Sequence, residues 1–255
     1  MTLSLKKAAA PLSLVLLSLV IWQAMVQISN TPEWLLPSPA KVLITFWEVL
    51  PLLLHHSQST LLATGAGLLT AVTVAVALAA IMDFSPCVKQ GVYPLLVISQ
   101  TIPIISIAPL LIIWLGFGLL PKVVVVALVC FFPIVVSMVE GMESADPGMV
   151  NLLRVMGSSR WQIIKIVRFP AALPSFFAGL KIAGTYAVMG AVIGEWLGAT
   201  SGLGVFMTRA SYAYQLDRVL AAILLISLVS LLIFALIEAT ARLAMPWYYN
   251  ERRTK

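Results

Sequence analysis

Six apolar runs, each about as long as a bilayer is thick, dominate this 255-residue chain and leave little choice of fold. They fall at about 8–28, 59–82, 92–115, 123–140, 176–197 and 219–243. In hydrocarbon, backbone N–H and C=O groups must bond within the protein, so runs of this length read as transmembrane helices. Hydrophobic residues make up 61% of the chain and charged residues 10%, with a mean hydropathy of +1.03, which excludes an ordinary soluble domain. The expected fold class is all-α: a polytopic membrane protein with six transmembrane helices in one domain, residues 1–255.

The stretches between the runs refine this reading. Lys6 and Lys7 precede the first run, which is long and lacks a small-x-small cleavage site, so it is read as a span and not a signal peptide. Over 40–50, Lys41, Thr45 and Glu48 share one face and Val42, Phe46 and Val49 another, which predicts a short helix lying in the membrane interface. The third run holds Pro94, Pro103, Pro109 and the polar Ser99-Gln100-Thr101, so it should face protein or a pathway. Gly65 and Gly67 allow close packing in the second run. Gly190, Gly194 and Gly198, spaced by four, place small residues on one face of the fifth.

Charge sets the expected topology. With both termini cytoplasmic, twelve of the sixteen basic residues fall inside: Lys6, Lys7, Lys89, Arg154, Arg160, Lys165, Arg168, Lys181, Arg242, Arg252, Arg253 and Lys255. Only Lys41, Lys122, Arg209 and Arg218 fall outside. The net charge of +6 thus carries topology; no basic–aromatic patch suggests nucleic acid as a partner.

One stretch is not a span. Residues 146–174 should form two short helices on the cytoplasmic side. Asp146 before Pro147 starts the first. Gly157 stops it in a left-handed turn, and Ser159 with Gln162 has capping-box spacing to start the second. Pro170 is expected to end that second helix. Arg154, Arg160, Lys165 and Arg168 make the bracket basic, and Trp161 offers an aromatic contact.

Catalytic patterns are missing. No lysine is followed by Ser or Thr, so there is no phosphate-binding loop, and H-E-x-x-H and G-x-S-x-G are absent too. The adjacent His55 and His56 diverge by about 100° on a helix and make a poor metal pair. Two cysteines, Cys87 and Cys130, form neither a disulfide framework nor a zinc site and read as small apolar residues. Glu140 and Glu238 fall near cytoplasmic span ends. Glu195, near the outer end of the fifth span, is either a translocation-path residue or an interfacial anchor. Gln100 and Tyr186 are further path candidates.

Asn151-Leu152-Leu153, three residues, Gly157, nine residues, then Val167-Arg168-Phe169-Pro170 resembles the EAA loop of ATP-binding-cassette importer permeases. That pattern runs Glu-Ala-Ala, three residues, Gly, nine residues, Ile-x-Leu-Pro; here Asn151-Leu152-Leu153 replaces the first triplet and Gly157 and Pro170 keep register. Leu36-Pro37-Ser38-Pro39, SQTIPIISIAPLLIIWLGFG in the third run and IGEWLGATSGLG in the fifth also look like this family. The match is to its binding-protein-dependent members for taurine, alkanesulfonates, nitrate and thiamine-precursor pyrimidines, with the vitamin-precursor group most similar.

The resemblance implies a MetI-like permease fold in the inner cytoplasmic membrane. It implies a permease homodimer among membrane lipid, two ABC ATPase subunits below it and a substrate-binding protein outside. The chain would not be an enzyme and would bind no cofactor; ATP would be hydrolysed by the partner. The ATPase-coupling residues would be Asp146, Asn151, Arg154, Gly157, Ser159, Arg160, Trp161, Lys165 and Pro170, with Gln100, Tyr186 and Glu195 on the path and no metal site. The expected function is import of a small polar solute, best a thiamine-precursor pyrimidine or related vitamin precursor, by alternating access. Taurine, alkanesulfonate or nitrate import is the alternative. An ion-coupled carrier using Glu195 and a non-transporting scaffold are the rivals from other classes.

Overall fold

The computed structural model describes residues 2–251, with side chains from 13 to 249; the side chains of Lys6 and Lys7, and Arg252, Arg253 and Lys255, lie outside the described residues. Among the described residues the chain is helical, with no strand. The helices are α1 (Thr2–Ile28), α2 (Pro39–Phe84), α3 (Pro86–Ser99), α4 (Ile104–Leu115), α5 (Leu119–Glu143), α6 (Pro147–Val155) and α7 (Arg160–Ile163). A π-helical turn, Ile164–Arg168, leads into α8 (Phe169–Trp196), followed by α9 (Leu203–Tyr212), α10 (Leu216–Ala244) and α11 (Pro246–Glu251). Among the described residues, four helices are long and apolar enough to cross a membrane, and α3 with α4 adds a fifth if that bent pair is one span. Within α1 the part with described side chains, Ser13–Ile28, is a shorter apolar helix.

Three expectations are corrected. The interfacial helix over 40–50 is instead the first part of the 46-residue α2, which continues through Pro51. Its apolar face is covered by protein, not lipid: Phe46, Val49 and Leu53 pack on Leu203, Phe206 and Ala222. Thr45, assigned to the polar face, is buried and donates to Asp217 Oδ2 at 2.8 Å.

The third span is broken and not continuous, with α3 and α4 bent by 99°. Pro94 and Pro109 stay inside helices, so the break belongs to Pro103, whose ring disfavours helix at Ile102. Two hydroxyls bond backbone carbonyls at the break: Ser99 Oγ donates to Leu96 O at 2.7 Å and Thr101 Oγ1 to Ile98 O at 2.8 Å.

Pro170 does not end the second bracket helix. The Phe169 N–H bonds Ile164 O, five residues back, and this wider π turn absorbs the proline, so the helix runs on into α8.

At the centre α5 lies between α2 and α8, and small residues let the three backbones approach. A Cβ on Gly67 would fall 2.4 Å from Val126 Cβ, and one on Gly179 2.4 Å from Pro133 O. Gly190 and Gly194 face Val126 and Lys122 in the same way, whereas Gly198 lies past the end of α8 in a turn at φ +114. Around Gly65 there is open space. With Ala183, Ala187 and Ala191 fully buried, this seam is the core.

Candidate coupling bracket and translocation cavity

The bracket is built by local signals that act as the residues suggest. Asp146 Oδ1 accepts the Gly148 N–H at 2.8 Å and starts α6. Gly157 takes φ +80, while the Ser158 N–H returns to Leu153 O at 2.9 Å and closes the helix end. Both capping-box bonds are made: Ser159 N–H to Gln162 Oε1 at 2.7 Å and Gln162 N–H to Ser159 Oγ at 3.3 Å.

Val150, Ile163 and Val167 bury themselves against Ala145 and hold the bracket together. Arg168 pairs with Asp83 at the end of α2, and Arg160 donates to Phe84 O at 3.3 Å. Arg154 and Asn151 face one another at 3.5 Å. Lys165 is exposed, and so are the apolar Val155, Met156 and Trp161, at 88%, 71% and 62%. Exposed apolar side chains of this size make the bracket a candidate contact surface.

Gln100 and Tyr186 meet in a cavity of about 650 Å³ where α3 breaks from α4, against α5 and α8. Ser99, Phe131, Phe132 and Met189 also line it, and the lining includes no acidic or basic residue. Ser99 belongs to the polar run already marked in the third span, whereas Phe131, Phe132 and Met189 escaped the sequence reading; the Phe131-Phe132-Pro133 run was the one signal for the two aromatics.

Glu195 does not join them. It is 1% exposed and sits in a separate polar cluster at the start of α9. There Glu195 Oε2 accepts the Gly204 N–H at 2.8 Å, Thr60 Oγ1 accepts the Leu203 N–H at 2.9 Å, and His56 Nδ1 accepts the Gly202 N–H at 3.2 Å. Three successive amides at one helix start are thus met by buried side chains. Lys122 Nζ lies 3.9 Å from Glu195 Oε1 and donates to Ser59 Oγ at 3.0 Å and Ser201 O at 2.9 Å. Gly202, at φ +136, leaves no room for a Cβ, which would sit 2.1 Å from the Glu195 carboxylate. His56 and Glu195 are both enclosed in this cluster, at 8% and 1% exposed. Of the remaining candidates, Glu238 is paired with Lys181 and Arg242, Glu140 and Cys87 are exposed, and Cys130 is buried.

Residues 67–244 match the family described as "Binding-protein-dependent transport system inner membrane component". The chain is 36% identical to the formylaminopyrimidine transport permease protein ThiX of Halalkalibacterium halodurans, over 94% of this chain and 96% of the relative. It is 35% identical to the riboflavin transport system permease protein RibX of Chloroflexus aurantiacus, over 93% and 89%. It is 26% identical to the taurine transport system permease protein TauC of Escherichia coli, over 90% and 86%. Among solved structures, an inward-facing MetNI methionine ABC transporter superposes with a TM-score of 0.68 at 20% identity, covering 76% of this chain and 97% of that one. The chain belongs to the binding-protein-dependent inner membrane transport components, and it is a membrane-spanning permease subunit of an ATP-binding-cassette importer of the MetI type.

Proposed function

We propose that this permease moves an uncharged heteroaromatic vitamin precursor, of the formylaminopyrimidine kind, inward through the cavity at the α3–α4 break. One observation carries the reading: the cavity pairs the hydrogen-bonding Ser99, Gln100 and Tyr186 with Phe131 and Phe132, and its lining has no charge. A planar ring stacks on aromatic side chains, and its ring nitrogens and exocyclic groups suit an amide and a phenol. A sulfonate or nitrate would have to leave water with no cation to meet it. The names of the 36% and 35% identical relatives, for a formylaminopyrimidine and for riboflavin, favour the same chemistry.

An ATPase dimer would seat on the bracket through Val155, Met156 and Trp161, positioned by Asp146, Asn151, Gly157, Ser159 and Pro170 and aided by the exposed Lys165, with Arg154 and Arg160 lining a cavity between the bracket and α2. Two copies of the chain would enclose the path, and an external binding protein would deliver the solute. Both termini would be cytoplasmic. ATP hydrolysed by the partner would drive alternating access, and the enclosure of Glu195 speaks against an ion-coupled carrier. The test is uptake into proteoliposomes holding permease, ATPase and binding protein. ATP-dependent uptake of formylaminopyrimidine, lost in Gln100→Leu with Tyr186→Ala, is expected. Uptake of taurine or nitrate instead, or uptake driven by an ion gradient without ATP, would overturn the proposal.

A further inference from the structure

A second cavity, of about 350 Å³, lies between the bracket and the junction of α2 with α3. Arg154, Arg160 and Arg168 line it against one acid, Asp83. Arg168 is already paired with Asp83. Arg154 and Arg160 meet only neutral acceptors, Asn151 Oδ1 at 3.5 Å and Phe84 O at 3.3 Å, and neither has an ion pair among the described residues. Two guanidinium groups drawn to one hollow without a counter-charge favour an anion there. Their forked donors match the geometry of a phosphate.

Two further features narrow the ligand. Phe84, Pro86, Ile163 and Ile164 form an apolar wall beside the arginines, where α2 ends and the bracket returns to α8. At the end of a spanning helix, such a wall would receive the acyl chains of a lipid whose headgroup lies among the arginines. The second feature is Asp83: its side chain is 6% exposed, and Oδ2 is buried with no hydrogen bond. A buried acceptor of that kind asks for a donor. A headgroup carrying hydroxyls next to its phosphate supplies one, whereas a choline headgroup has no donor and no net negative charge.

We propose that this cavity binds the headgroup of an anionic, hydroxyl-bearing phospholipid of the phosphatidylglycerol class. Arg154 and Arg160 hold the phosphate, and a headgroup hydroxyl donates to Asp83 Oδ2. Basic pockets between helices at a membrane surface are suited to such headgroups. The lipid braces the bracket against α2. Free phosphate shares the phosphate chemistry but offers nothing to the apolar wall.

The test is native mass spectrometry of delipidated full-length permease titrated with phosphatidylglycerol, with phosphatidylcholine, and with inorganic phosphate as competitor. Phosphatidylglycerol should bind at least about tenfold more tightly than phosphatidylcholine, and Arg154→Gln with Arg160→Gln should lower its affinity by about tenfold or more. Arg154→Lys with Arg160→Lys should retain part of it. The lipid should stay bound once the ATPase is added. Equal binding of the two lipids overturns the proposal, as does full affinity in the glutamine variant. Displacement by equimolar inorganic phosphate assigns the site to free phosphate and overturns the lipid. Loss of lipid on adding the ATPase makes the cavity part of the docking surface and does the same.

Discussion

The hydroxyl of Thr60 donates to Glu195 Oε1 at 2.9 Å and accepts the Leu203 N–H at 2.9 Å, so one buried oxygen joins α2, α8 and α9. The carboxylate below it holds the Gly204 amide and stands 3.9 Å from Lys122. Every member of this cluster leans on another, so removal of one leaves the rest buried without partners.

Glu195→Ala should therefore act on folding first. It strips the acceptor from Gly204 and Thr60 and leaves the Lys122 ammonium without its carboxylate, a loss of roughly 2–5 kcal/mol. Glu195→Gln, which keeps an acceptor oxygen, should fall between. Thermal melting in detergent beside uptake by the folded fraction is the measurement. Wild-type melting with abolished uptake would return Glu195 to the translocation path.

The contrast between this cluster and the bracket explains what could be read from the chain alone. Asp146, Gly157, Ser159 and Gln162 act on amides within five residues of themselves, and each was legible because capping is local. Thr60 lies 135 residues from Glu195, and no spacing announces that bond. Residues 40–50 carried a sound amphipathic pattern; whether lipid or α9 and α10 would cover Phe46 and Val49 is decided by tertiary packing. At Pro170 the stop signal was real, but a π turn offers proline a way to continue that pattern rules do not foresee. Ser99, Gln100 and Tyr186 stood out in the sequence because polar groups in spans are few. Phe131 and Phe132, which line the same cavity, were hidden among residues that serve as well for packing.

Gly179→Leu tests the central seam. A Cβ there would lie 2.4 Å from Pro133 O and 2.6 Å from Ser137 Oγ, and the first of these is backbone on a neighbouring helix. Separation of α5 from α8 should lower stability by roughly 1–3 kcal/mol or more. Gly65→Leu, with open space around it, should be tolerated. Expression and melting of the two variants decide; equal tolerance of both would contradict the packing.

Topology is checked with single cysteines in a Cys87→Ser, Cys130→Ala background. Ser158→Cys, in the basic bracket, should react with a membrane-impermeant thiol reagent only from the cytoplasm. Ser201→Cys, at the opposite end of the spans beside Lys122, should react from outside. The reverse pattern would invert the orientation drawn from twelve basic residues against four.

The sharpest test of the bracket is Gly157→Val. At φ +80 a branched residue is strained by roughly 1–3 kcal/mol whatever the space around it, and here that space is open, so the effect is confined to the backbone. Relief of the strain would turn α7 relative to α6 and move Trp161 away from Val155 and Met156, the apolar trio that we assign to the ATPase. The spanning helices, whose seam lies elsewhere, should be untouched. Gly157→Val should thus insert and melt like the wild type, yet bind its ATPase weakly or hydrolyse ATP without uptake. Gly157→Asn, better suited to a left-handed turn, should recover most of the coupling. Co-purification of the ATPase, and the ratio of ATP hydrolysed to solute moved, are the readouts. If Gly157→Val retains its ATPase and its transport ratio, the coupling role of this stretch is lost.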